Sequence, residues 1–420
     1  MNNRRYTTPH IASNKIFNKV YDFEKDHLRI KDSQTRYTTF SEFLTTSKIN
    51  TFTLKPTWGI SVLRDELITD NGATGELDSG ALKLSTDSQA NSSVRLSSIE
   101  RGQYIPGAEG EAGVQLRIPE LPIGEQYIEW GYTDLDNGFV YGVDSTGIYV
   151  ARITEGVKNK IYQNDWNKDK LDGTGLSGLT LDLSIGNIYN IIFTWYGSGS
   201  IKYYVIITSP DTLEDELILV HVEKVERELS VRDPNQPISV ILDNGATAET
   251  IEVHVGGRQF SIFSLGFERK TRNTAVIREN ISLTSTEYVP LVSIKRKEYF
   301  PTSNVQNSVL SQYVSTEIQT DKNIVFFVSY VNNVTGGDFE SIAGVDDSET
   351  SLLANISPTS GEVGRVIQRG FVSGAQGNKR AVAERSNIFP IGNEIPMTIW
   401  AKTKGADATV DVIMNFQEQW

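Results

Sequence analysis

Between residues 126 and 207 the chain alternates apolar and polar residues in runs too short for helices and too regular for loops. The segment begins QYIEWGYTDLDNGFVYGVDSTGIYVARIT, where Asp136-Asn137-Gly138 and Asp144-Ser145-Thr146-Gly147 separate three runs rich in aromatic and β-branched residues. After a polar loop it resumes as IYNIIFTWYGSGSIKYYVIIT, two alternating strands joined through Gly197-Ser198-Gly199-Ser200. Side chains on a strand point to opposite faces in turn, so these runs read as strands and the intervening residues as hairpin turns. A meander followed by a hairpin leaves an apolar face that a second sheet must cover. Within 188–196, one face carries Tyr189, Ile191, Phe193 and Trp195, and the other Ile188, Asn190, Ile192, Thr194 and Tyr196. Both faces are partly apolar, which suits the middle of a thick sandwich or a subunit contact.

The same texture extends in both directions. Strands are expected at 59–63, 81–85, 93–97, 113–118, 127–132, 138–143, 148–153, 188–195, 201–207, 216–225, 238–242, 250–255 and 260–267, with almost no helical period between them. That spacing predicts a two-sheet jelly roll over residues 58–268. The basic stretch Arg269-Lys-Thr-Arg-Asn273 marks the next boundary. Over 269–420, strands are expected at 274–278, 287–294, 309–316, 323–331, 397–402 and 408–416, with the glycine- and serine-rich passage 336–377 as a long loop. This reads as a smaller β-sandwich that serves assembly.

Residues 1–57 are different. Ile16, Phe17, Val20, Tyr21 and Phe23 form a loose apolar cluster, and 37–44 is expected to make one or two helical turns with Ser41 or Thr38 as N-cap. The remainder is too poor in apolar residues to build a core, so an extended N-terminal arm is expected, held along its own body, a sister subunit or another protein. The fold class is therefore all-β, two β-sandwich domains preceded by an extended arm.

Composition narrows the chemistry. A chain of 420 residues exceeds one compact core. It has no cysteine and four histidines, which excludes disulfides, thiolate metal sites and cysteine nucleophiles. The polar start MNNRRYTTPH lacks the apolar region of a signal peptide, and no stretch reaches the length of a membrane span. The formal charge is −13, but residues 1–57 carry ten Lys or Arg against five Asp or Glu, so the arm is +5 and the rest −18. An acidic body is repelled by phosphate, so neither nucleic acid nor membrane is an expected partner.

Few residues suggest a site. Asp134-x-Asp136-Asn137-Gly138 and Asp165-x-Asn167-x-Asp169 each carry part of a calcium loop, but the first lacks the next carboxylate and the second has Lys170 where glycine belongs. Asp and Asn at such places commonly cap their own turns. The Gly-x-Gly at Gly197 and Gly199 lies in a hairpin, away from any strand-to-helix turn that would cradle a phosphate. The loop IYQNDWNKDK holds Tyr162, Asp165, Trp166 and Asp169, where a ring could stack on a pyranose and carboxylates accept its hydroxyls. A tryptophan that tucks a long loop onto the sandwich is the commoner arrangement. No catalytic residue, cofactor site or metal site is expected.

Three strings, ALKLSTDSQANSSVRLSS at 81–98, the meander at 126–152 and FTWYGSGSIKYYVI, resemble the concanavalin A-like lectin and glucanase jelly rolls. Glucanases of that fold aim two carboxylates from an E-x-D-x-x-E strand into a cleft. Here Glu214 and Glu216 could share a strand face, but Leu219 stands at the third position. Glu129 is out of phase with Trp130, and Asp134 and Asp136 fall in a turn. In texture, RGQYIPGAEGEAGVQLRIPE, DWNKDKLDGTGLSGLTLDL and FTWYGSGSIKYYVI are similar to structural proteins of tailed-bacteriophage virions. That resemblance implies a non-enzymatic capsid decoration, head fibre, or tail or baseplate appendage, made in the host cytoplasm and assembled into the virion. It implies contacts with other virion proteins, its own copies as a trimer or larger symmetric set, and host-surface carbohydrate. The alternative is a stand-alone carbohydrate-binding module or a degenerate glycoside hydrolase.

Overall fold

The computed structural model describes residues 20–22, 27–29, 47–61, 63–195, 199–209, 213–225, 231–264, 271–284, 286–303, 305–374, 379–382, 389–392 and 395–419. A short antiparallel hairpin pairs β1 (Val20–Asp22) with β2 (His27–Arg29). The expected helical turns at 37–44, most of the apolar arm cluster and the Gly197–Ser198 turn lie outside the described residues.

The first sandwich opens with β3 (Ser47–Leu54), β4 (Asp65–Asp70), β5 (Thr74–Asp78), β6 (Ala81–Ser85) and β7 (Ser93–Ser98). It continues through β8 (Glu109–Arg117), β9 (Tyr127–Thr133), β10 (Gly138–Asp144), β11 (Gly147–Thr154) and β12 (Val157–Tyr162). It closes with β13 (Asn187–Phe193), β14 (Ser200–Thr208), β15 (Asp215–Lys224), β16 (Ile238–Asp243) and β17 (Glu252–Ser264). One sheet runs β12-β11-β10-β9-β16-β7-β4, and the other β15-β14-β13-β8-β17-β6-β5 with β3 also on β17. Every pairing is antiparallel, and strands distant in sequence sit side by side, as in the expected jelly roll.

Period-two alternation explains the core. Tyr189, Ile191 and Phe193 point between the sheets, and all three are buried in the first core. Trp130 stacks on Tyr141 at 6.0 Å and meets Tyr189 edge-on at 4.8 Å, while Tyr132 stacks on Phe260 at 5.0 Å. Each such ring buried contributes about 1.5–3 kcal/mol. The opposite face is half closed as expected: Ile192 and Asn190 are buried and Ile188 is exposed.

The second sandwich contains β18 (Thr271–Leu283), β19 (Val289–Arg296), β20 (Leu310–Thr320), β21 (Ile324–Thr335), β22 (Leu352–Asn355) and β23 (Ser360–Val372). It is completed by β24 (Lys379–Val382), β25 (Phe389–Pro390), β26 (Met397–Thr403) and β27 (Ala408–Gln419). Its sheets run β18-β27-β20-β24, with β25 on β20, and β22-β19-β26-β21-β23. Val292, Ile294, Phe326, Val328, Ile399, Val410, Val412 and Met414 fill the space between them.

Four local expectations change. Residues 59–61 and 63 lie in no strand: Pro56–Trp58 is a 3₁₀ turn ended by Gly59 at φ 68°, a conformation a strand does not adopt. The expected strands at 250–255 and 260–267 are one strand, β17, whose pairing with β8 shifts at Gly256-Gly257. The passage 336–377 is ordered in part into β22 and the thirteen-residue β23, whose glycines and charged residues suit an exposed edge. The first sandwich begins at β3, inside the segment read as arm, because Phe52 stacks on Phe260 and fills the core.

The sandwiches touch. Arg101 donates from Nη1 to Gln306 Oε1 at 2.8 Å, Asn235 Nδ2 donates to Ser308 Oγ, and Leu63 packs against the second core.

Candidate functional site

The loop after β12 is built by its own polar residues. Tyr162 donates its hydroxyl to Asp144 Oδ2 at 2.9 Å, and Lys160 Nζ donates to the same oxygen at 2.9 Å. Partial burial pushes the Asp144 carboxyl upward, but Lys160, the Thr146 N–H and the Tyr162 hydroxyl together hold it below the usual carboxylate range. Trp166 is only 3% exposed: it belongs to the first core and donates Nε1 to Ile161 O. The ring therefore offers no face on which a sugar could stack. Asp169 is buried and accepts from Leu171 N at 2.9 Å and Ser177 N at 2.7 Å. A Cβ on Gly175 would sit 2.1 Å from Asp169 Oδ1, so the close approach of this loop needs glycine there. Asp165 alone is exposed, in the 3₁₀ turn Gln163–Asp165. Tyr162 and Asp144 are thus brought together, whereas Asp165, Trp166 and Asp169 are dispersed between solvent, core and loop.

Other residues of the two calcium-like strings are also occupied. Asn167 clasps β15, donating to Val222 O and accepting from Val222 N. Asp134 accepts from Asn137 N and pairs with Arg101 Nη2 at 2.6 Å. Among the described residues no three His, Asp or Glu side chains converge as metal ligands.

Beside Asp144 lies a cleft of about 640 Å³, walled by 118–122, the β10–β11 turn and 180–184, with Gln163 at its base. Its polar walls are pre-set. Asp182 Oδ1 accepts from Ser184 N and Ser184 Oγ, and Gln163 Nε2 donates to Lys170 O. Leu121 at the rim is 61% exposed, and Ile123 and Ile185 beside it are exposed too. Thr146 stands exposed over the opening. A concave site with aliphatic rim and fixed polar walls can hold a neutral, hydroxylated ligand without acting on it.

Two carboxylate sites were missed from sequence. Glu109 and Glu111 project from the same face of β8, about 7 Å apart along the strand. Both are 1% exposed. Lys202 Nζ lies 2.8 Å from Glu109 Oε1, and Lys48 Nζ lies 2.7 Å from Glu111 Oε1. The i, i+2 spacing of EGEAG was the available signal, and its glycines pushed the expected strand start to 113. Burial and lysine pairing make these groups ties across the sheet, from β8 to β14 and to β3. Glu129, out of phase with Trp130, is nevertheless fully buried, accepting from Tyr149 Oη at 2.8 Å and Lys158 Nζ at 2.6 Å. Of the pair considered for hydrolysis, Glu214 precedes β15 and Glu216 lies on it.

No family model matches the sequence, and no curated protein matches it. Among solved structures, the chain is similar to peanut lectin with a nonapeptide, at 10% identity over 52% of this chain and 99% of that one, TM-score 0.32. It is likewise similar to lectin I-B4 from Griffonia simplicifolia in its metal-free form, at 10% identity over 51% and 100%, TM-score 0.33. A cellulose-induced protein, Cip1, matches at 12% identity over 51% and 97%, TM-score 0.33. The sheet order and register given above, rather than these scores, define the sandwich.

Proposed function

We propose that this chain is a non-catalytic saccharide-binding structural protein, with the loop-end cleft beside Asp144 as its ligand site. The observation that carries the reading is the cleft itself: about 640 Å³, open, largely aliphatic in its lining, with a few polar groups already oriented by internal hydrogen bonds. Binding sites gain affinity when their polar groups need no ordering on contact. The buried carboxylates that a hydrolase would need, Glu109 and Glu111, are held by lysines. In this reading the protein is a virion appendage of a tailed phage, whose first sandwich meets host glycans and whose second sandwich and arm meet neighbours. The second reading, a protein-docking end, is favoured by the exposed aliphatic residues Leu121, Ile123 and Ile185. A glycan array separates the two. The first reading predicts saturable binding that Thr146→Trp weakens at least about tenfold by filling the cleft. The second predicts no glycan binding, and self-association lost in Leu121→Asp.

A further inference from the structure

We infer that the cavity between the two sandwiches is a binding site for a small oxyanion, held by Arg296. This cavity, of about 300 Å³, is at the far end of the seven-stranded sheet from the loop-end cleft, and residues of both sandwiches line it. Asp144 faces Tyr127 across the sheet at one end; Asp134 and Pro237 follow Thr133 and precede Ile238 at the other. Three arginines reach the cavity with three carboxylates, but they are not equally partnered.

Arg101 has acceptors at all three of its nitrogens. It donates from Nε to Asn235 O, from Nη1 to Gln306 Oε1, and from Nη2 to Asp134 Oδ2 and Gln236 Oε1. Arg95 is paired with Glu66 at 3.2 Å. Arg296, at the end of β19, donates only from Nη1, to Val309 O at 3.2 Å, and its Nε is buried without any acceptor. The remaining carboxylate, Glu298, is exposed at the surface. Burial, followed by the neighbouring Arg101, pushes the Arg296 guanidinium down to about 10, against an upward pull from Glu66.

Arg296 is half-buried as a residue, but its Nε–H is buried and open, and such a charged donor is costly unless an acceptor answers it. A water molecule could accept from Nε but would bring no charge. An oxyanion supplies both, and the planar fork of arginine matches carboxylate or phosphate oxygens. Because each sandwich contributes walls, such an anion would also tie the two sandwiches together.

The test is calorimetry on the whole chain with inorganic phosphate, glucuronate and neutral glucose, at constant ionic strength. Saturable one-site binding of phosphate, of glucuronate or of both is expected, and it is retained in Thr146→Trp, where the filled loop-end cleft leaves glucose silent; which anion binds tells a free phosphate from an acidic sugar. Arg296→Gln should weaken binding at least about tenfold. Ile68→Trp, at the exposed rim, should weaken it equally without touching Arg296, which keeps the test decisive if Arg296→Gln misfolds. Thr146→Trp should leave anion binding unchanged, so failure of the loop-end site is distinguishable. The inference is overturned if neither anion saturates the wild-type chain, if glucose binds Thr146→Trp as well as the anions do, or if both Arg296→Gln and Ile68→Trp bind like wild type.

Discussion

Asp233 shows most directly how this chain places charge where burial opposes it. The residue is 9% exposed, accepts from Asn235 N through Oδ1, and leaves Oδ2 without a donor. Burial pushes its carboxyl up to about 6; Arg101 pulls it down and Asp134 pushes it up. A carboxyl with a folded pKa above its unfolded value of 3.8 holds its proton more tightly in the fold, so the charged form penalises folding above pH 6. That penalty is relieved as pH falls from 6 toward 4. Asp233→Asn keeps the Oδ1 acceptor, and it should stabilise the chain by about 2–3 kcal/mol at pH 7.5, a gain that closes by pH 4. Thermal melts of both proteins across that range check this; a constant gap would contradict it. Single residues were the least legible level of the sequence. The glycines of EGEAG weaken a strand expectation, yet a Cβ on Gly110 would sit 2.8 Å from Phe193 Cζ, so close packing of β8 requires glycine there. Trp166 and Asp169 had the right residue types for a binding loop, but only the fold shows that they face inward.

At the scale of elements, central strands were readable and several edge strands were not. The central strands β9, β10, β11 and β13 alternate or run apolar because sheet faces bury them. The strands β4, β5 and β12 went unread because they lie at sheet edges, and TGELD or VKNKIY carries charges that protect an edge from further pairing. Near the other end of the chain, β27 depends on a polar anchor. Glu418 is fully buried and accepts from Thr274 Oγ1, Thr350 Oγ1, Ser351 N and Ser351 Oγ, with no cation among those partners. Glu418→Gln would turn an amide donor toward these donors, and a loss of about 2–4 kcal/mol is expected in chemical denaturation. An unchanged midpoint would show the carboxylate is dispensable. The strand β3 offers a second check. Phe52→Ala should cost about 3–5 kcal/mol if β3 is integral to the first sandwich, and under about 1 kcal/mol if it belongs to a loosely held arm.

At the scale of the whole molecule, two all-β sandwiches followed from periodicity and turn residues, because a half-apolar sheet has few ways to bury its face. The contacts between them did not follow. Arg101 lies 205 positions from Gln306 and shares no pattern with it or with Arg296, so their convergence is visible only in three dimensions. The loop-end cleft is likewise assembled from three separate connections. The central claim is that this cleft binds a saccharide and leaves it intact. Its most direct test is a calorimetric titration of the strongest array glycan into wild type and Thr146→Trp, with the glycan recovered and analysed afterwards. A one-site isotherm, intact glycan and at least about tenfold weaker binding in the variant are predicted. A cleaved glycan, or an isotherm unchanged by Thr146→Trp, would contradict the account.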